Sequence, residues 1–194
     1  MSGRLRGQSG FGLIELLMAM VMLNIGLLAV VAAFTSGMWG LARAGNISTA
    51  AALGDQQMEL YRELPIACIY VSSPPTSGTY ASDPAYSNSY QVTSGTGGLN
   101  SPCNITTLPT NSASANRTGV IGPDHHKYEV DTYINFRCLN PPNLAIPTGT
   151  SPGTCTQTNG GIVTAVTVVV RDGRITTKVL NRQSSTFDPS NDLR

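Results

Sequence analysis

The stretch GQSGFGLIELLMAMVMLNIGLLAVVAAF, residues 7–34, decides how this chain folds. From residue 11 to residue 34 its only strongly polar side chains are Glu15 and Asn24. A bilayer-spanning helix needs roughly 20 apolar residues, and residues 16–34 nearly supply them without Glu15. Arg4 and Arg6 precede the run with no acid beside them, so the positive flank is expected to stay cytoplasmic and everything after Phe34 to lie outside. Glu15 is the anomaly. An ionised acid at the centre of a membrane helix costs about 2.5–3.5 kcal/mol on insertion scales, and an intramembrane carboxylate calls for a functional role and a partner.

Working outward, residues 47–64 place Ile47, Ala50, Ala51, Leu53, Met58, Leu60, Tyr61 and Leu64 on one side of a helix. Asp55, Gln56, Glu59, Arg62 and Glu63 fall on the other, and Pro65 stops the helix after Leu64. Residues 11–64 then form one rod of roughly 80 Å, with a hydrophobic part over 11–34 and an amphipathic continuation over 35–64. Gly26, Gly37 and Gly40 are positions where that helix can loosen. Residues 65–194 form a β-rich head. Residues 72–126 are rich in turn formers and read as surface loop, with a short strand at 89–93. KYEVDTYINFRC, residues 127–138, alternates. Tyr128, Val130, Thr132, Ile134, Phe136 and Cys138 share one face, and Glu129, Asp131, Tyr133, Asn135 and Arg137 the other, as in a half-buried strand. GIVTAVTVVVRDGRITTKVL reads as a hairpin of strands 162–170 and 174–180 around Asp172-Gly173. The expected class is α+β, with three antiparallel strands packed on the apolar face of the long helix.

Net charge is +1 and only 12% of residues are charged, which excludes a general polyanion binder; no nucleic acid is expected as a partner. Cys68, Cys103, Cys138 and Cys155 are even in number and widely spaced, as in a protein with two disulfides in an oxidising compartment, and four cysteines allow three connectivities. No nucleophile elbow, phosphate loop or paired catalytic acids occur, so neither an enzyme nor a cofactor is expected. His125-His126 is better read as a surface-loop pair than as metal ligands, and Asp188 and Asp192 supply too few oxygens for a calcium site. The N-x-[ST] triplets at Asn46, Asn104 and Asn116 arise by chance in a Ser/Thr-rich chain. Phe34 and Trp39 suit a membrane interface.

GFGLIELL, residues 10–17, resembles the N-terminal signature of type IV pilins and type II secretion pseudopilins, the class III prepilin signal. Four features carry the resemblance: a short basic leader, the Gly10-Phe11 junction, an acid at the fifth position after the cut, and the long apolar run. Gly12 stands where many members have Thr, and no proline interrupts the run. The resemblance implies that residues 1–10 are a leader cut by a prepilin peptidase between Gly10 and Phe11, and that the new Phe11 amine is methylated. Loss of Arg4 and Arg6 takes the net charge from +1 to −1. In assembly Glu15 would pair with the Phe11 amine of a neighbouring subunit, offsetting two charges that are each costly in lipid.

The same resemblance implies a pilin fold and a single-pass inner-membrane protein that later joins an extracellular filament through an assembly platform and other pilin subunits. Because a disulfide often closes a C-terminal loop in pilins, it favours Cys138 with Cys155 and leaves Cys68 with Cys103. The tail AALGDQQMELYRELP also looks like that of minor pilins and pilus modification proteins. The expected role is a minor pilin, with a type II secretion pseudopilin as alternative. A different class, a secreted binding domain with an ordinary signal cut after Val31-Ala32-Ala33, predicts a mature terminus at Phe34. DNA capture would need a basic patch that the scattered Lys and Arg do not supply.

Overall fold

The computed structural model describes residues 12–86, 91–93, 103, 105–109, 111–138 and 162–188, with the side chains of Arg137, Cys138 and Ile162 excepted. The elements are helix α1 (Leu13–Arg62), a 3₁₀ turn (Ile66–Cys68), a one-turn helix α2 (Gly78–Ala81), and strands β1 (Asn116–Ile121), β2 (Lys127–Cys138), β3 (Ile162–Asp172) and β4 (Val179–Phe187). The chain divides into two compact units, Met1–Ala44 and Gly45–Arg194. The α+β architecture expected above is present: a long N-terminal helix and a four-stranded antiparallel sheet.

In the first unit α1 runs through Gly26, Gly37 and Gly40 without a break, although each was a candidate weak point. A Cβ at any of the three would meet nothing within 4 Å. The helix ends at Arg62, two residues earlier than expected. The Leu64 amide reaches only the Tyr61 carbonyl (3.4 Å), a tightened last turn, and Pro65 disfavours helical backbone at the residue before it.

In the second unit the sheet order is β1-β2-β3-β4, so each strand pairs with its neighbour in sequence. Opposed residues share a face. Tyr128, Val130, Thr132 and Ile134 therefore lie with Val166, Val168, Val170 and Asp172, and this face packs on the second half of α1. The buried helix stripe is Ala50, Gly54, Gln57, Met58 and Tyr61. Ile47, expected on that stripe, is 42% exposed. Gln57 replaces it in the core, because its amide donates to the Asn111 carbonyl (3.4 Å) and its oxygen accepts from Arg117 (2.7 Å). Gly54 marks a close approach: a Cβ there would lie 2.9 Å from Asn181 Nδ2 and 3.3 Å from Gln183 Cδ.

Three expectations for the head need correction. The sheet has four strands, not three, because β1 lies in the stretch read as loop. The partner of β3 is 179–187 rather than 174–180: the Asp172 amide donates to the Lys178 carbonyl (3.0 Å) and the Asp172 carboxylate accepts from the Arg174 amide (3.0 Å), so 173–178 is consumed in the turn. And β2 is buried on both faces, with Asp131 and Tyr133 fully inaccessible. Residues 69–86 cover its second face. Tyr80 stacks on Tyr133 with ring centroids 4.4 Å apart, and its hydroxyl donates to the Thr132 carbonyl (2.6 Å). Of the strand expected at 89–93, residues 91–93 are described; Val71 and Thr93, and Gln91 and Asn135, form isolated bridges. Cys68 is bonded to Cys103, tying the chain just after α1 to the long loop. The expected Cys138–Cys155 pair lies outside the described residues.

Candidate functional site

The candidate assembly segment starts at the first turn of α1. Gly10 and Phe11 lie outside the described residues. Glu15 sits in the first helical turn, its amide bonded to the Gly12 carbonyl at 2.9 Å, where the helix dipole favours an acid. Beyond it the helix is apolar on every side: Leu13 and Ile14, Met22 and Leu23, Leu27 and Leu28, and Met38 and Trp39 are all more than 60% exposed. An amphipathic helix covers its single apolar face by packing on one neighbour, but a helix apolar all round demands an apolar surrounding. None of the apolar window is buried within the chain, and the helix is long and apolar enough to cross a membrane.

The few polar groups in this run are satisfied by the helix itself. The Asn24 amide donates to the Met20 carbonyl (3.0 Å) and the Thr35 hydroxyl to the Val31 carbonyl (2.9 Å), each four residues back. In hydrocarbon an unsatisfied polar group costs several kcal/mol, so these local bonds make Asn24 and Thr35 tolerable where Glu15 is not. Glu15 has no internal partner among the described residues. The sequence marks Asn24 as polar, and only the helical i−4 spacing shows how it is paid for.

The head holds its charges differently. Arg171 lies between Asp131 (2.8 Å) and Asp83, all three nearly inaccessible, and Arg182 reaches both Asp83 oxygens at 2.9 and 2.8 Å. Burial alone pushes the Asp83 carboxyl up, but the Ala85 amide and the Arg182 and Arg171 guanidiniums outweigh it and hold Asp83 below the usual aspartate range. Burial dominates at Asp131, where the Glu129 charge adds to it and Arg171 opposes, leaving that carboxyl raised. Asn116 donates to both Glu129 and Asp131 at 2.6 Å. Burial also lifts the Tyr61 hydroxyl to about 12 while it donates to the Ser112 carbonyl. The effect of this network is to clamp residues 69–86 onto the second face of the sheet. None of it is legible locally, since Asp83 and Arg171 are 88 residues apart.

His126, read as half of a surface pair, is part-buried with Nε2 3.0 Å from Asp172 Oδ1; His125 is exposed beside it with φ of 58°. Asn46 and Asn116 sit on α1 and β1; Asn104 lies outside the described residues, as does Asp192.

Residues 5–31 match the family described as the prokaryotic N-terminal methylation motif. This is the class III prepilin signal, and the match agrees with a type IV pilin-like protein. No curated protein and no solved structure matches the chain. The motif supports a protein of the pilin or pseudopilin type, structural in kind, and implies processing by prepilin peptidase and assembly with other pilin subunits. The apolar N-terminal helix fits the membrane anchor typical of prepilins.

Proposed function

We propose that this chain is a minor pilin: a subunit held in the inner membrane by residues 11–34, cut between Gly10 and Phe11, methylated on the Phe11 amine, and then incorporated into, or priming, an extracellular type IV pilus-like filament. The observation that carries this reading is Glu15 at the first turn of a helix in whose apolar run Asn24 and Thr35 are bonded to carbonyls one turn back. An acid left over in such a helix is accounted for by a cation from outside it, and the amine created at Phe11 of a neighbouring subunit supplies one. The helix dipole favours Glu15 where it stands, but that does not account for an unpaired charge at the edge of a membrane run.

Glu15→Val tests the pairing. The variant is expected to insert and be cleaved normally yet to enter filaments at a small fraction of the wild-type level; undiminished incorporation would refute the role. Intact-mass measurement of the exported protein tests the processing, with a methylated terminus at Phe11 expected and a terminus at Phe34 pointing to a secreted domain with an ordinary signal. The Cys68–Cys103 bond and the Ser/Thr-rich loops support a surface pilus over a type II secretion pseudopilin, for which the same N-terminal chemistry would serve.

A further inference from the structure

One end of the head gathers features that filament-subunit chemistry leaves unused. The turn joining β1 to β2 and the turn joining β3 to β4 lie side by side there, the Gly173 amide donating to the Lys127 carbonyl at 2.8 Å. This is also the end at which the chain enters the head. The Tyr128 hydroxyl reaches the Asn46 carbonyl (3.4 Å), and Gly122 sits so close that a Cβ on it would be 2.8 Å from Thr49 Cγ2. Both lysines of the chain, Lys127 and Lys178, are here and exposed, with Arg174 beside them. Lys127 and Arg174 have no ion-pair partner among the described residues, whereas Arg62, Arg171 and Arg182 are paired. The two acids at this end are already engaged: Asp172 by His126 and Lys178 (3.7 Å), Asp124 by the Tyr128 hydroxyl and the His126 amide. Among these cations Ile121 and Ile175 stand 65% and 56% exposed. The exposed acids Asp55 and Glu59 lie further along α1, toward the opposite end of its packed half, and Glu63 just beyond it.

Cations mixed with protruding isoleucines are the chemistry of an interfacial membrane contact, the apolar side chains entering the headgroup boundary and the cations pairing with phosphate. Chain length supplies the second argument. Trp39, 75% exposed, is suited to the membrane interface, and Gly45 lies six positions after it. That is about 9 Å as helix, close to one Debye length at physiological salt, within which anionic lipid still attracts a cation. We propose that this end of the head, through Lys127, Arg174, Lys178, Ile121 and Ile175, docks on anionic phospholipid headgroups while the subunit waits in the membrane. The contact rests on the anchor reading given above. It would hold the head down before assembly and be broken when the subunit is extracted.

The test is hydrogen exchange on the full chain in nanodiscs of phosphatidylglycerol or of phosphatidylcholine. Amides of 121–127 and 173–178 are expected to exchange roughly tenfold more slowly in the anionic discs, and the difference should vanish in Lys127→Glu/Arg174→Glu/Lys178→Glu. Should that variant fold poorly, raising salt on the unaltered protein until the Debye length is about 3 Å should erase the same difference. Equal exchange in both discs, with the chain still co-eluting with them, would overturn the docking and leave the anchor intact. A chain that separates from the discs would defeat the anchor reading and the docking with it. Protection that tracks the number of chains per disc and ignores lipid charge would overturn the proposal in favour of contact between copies.

Discussion

The N-terminal half of α1 and the head solve opposite problems. In the helix, apolar side chains face outward in every direction and the polar groups Asn24 and Thr35 are bonded to carbonyls one turn back. In the head, apolar side chains are gathered inside and charged groups are buried among them, each answered by a partner far away in sequence. A polar group in a segment surrounded by hydrocarbon must be satisfied by its own helix; one in a folded head can wait for a partner from another strand. Glu15 fits neither solution among the described residues.

That contrast can be broken most severely at Arg171. Arg171→Ala leaves Asp131 buried with its charge uncompensated and Asp83 with Arg182 alone, and is expected to cost the head about 3–5 kcal/mol, read as a fall in the urea midpoint with an unchanged slope. Next in size, Cys68→Ser with Cys103→Ser opens a closure spanning 35 residues and should cost about 3 kcal/mol, with the same loss on reduction of the native protein.

Acid is the third probe. Asp172, like Asp83, is held below the usual range: burial pushes it up, but the Arg174 amide, His126 and Lys178 more than compensate. A depressed carboxyl contributes stability that is full above its unfolded value, about 3.9, and disappears as pH falls through the lower folded value. The head should therefore lose stability progressively below about pH 4, and Asp172→Asn should flatten that decline. Asp131, raised, acts in the opposite sense: its ionisation weakens the head as pH climbs through its elevated value, so the same acid titration relieves part of the loss.

The smallest effect belongs to the exposed helix. Met22→Ala trims an exposed side chain of the first unit and should shift the head's urea midpoint by less than about 0.5 kcal/mol equivalent. A larger shift would mean that the two regions are coupled in stability.

The sequence exposes these regions unequally, for physical reasons. The long helix, Glu15 and the cores of β2 and β3 are legible because each repeats one chemical contrast at a fixed period: unbroken apolarity, or alternation over 127–138 and valine runs over 162–170. β1 (NRTGVI) and the later part of β4 (NRQSSTF) are edge strands that bury little, so their polar side chains look like loop. The second face of β2 carries the polar Glu129, Asp131 and Asn135, so alternation alone reads the strand as half-buried, and no local pattern announces that Arg171 will join Asp131 to Asp83 there. Gln57, polar yet fully buried, misleads for the same reason.

The Cys68–Cys103 bond also makes residues 68 to 103 a covalent ring inserted in the chain. A protease that cuts once anywhere inside this ring opens it without severing the protein, since the two ends stay joined through sulfur. A segment rich in turn-forming residues is thereby one where a single nick detaches nothing.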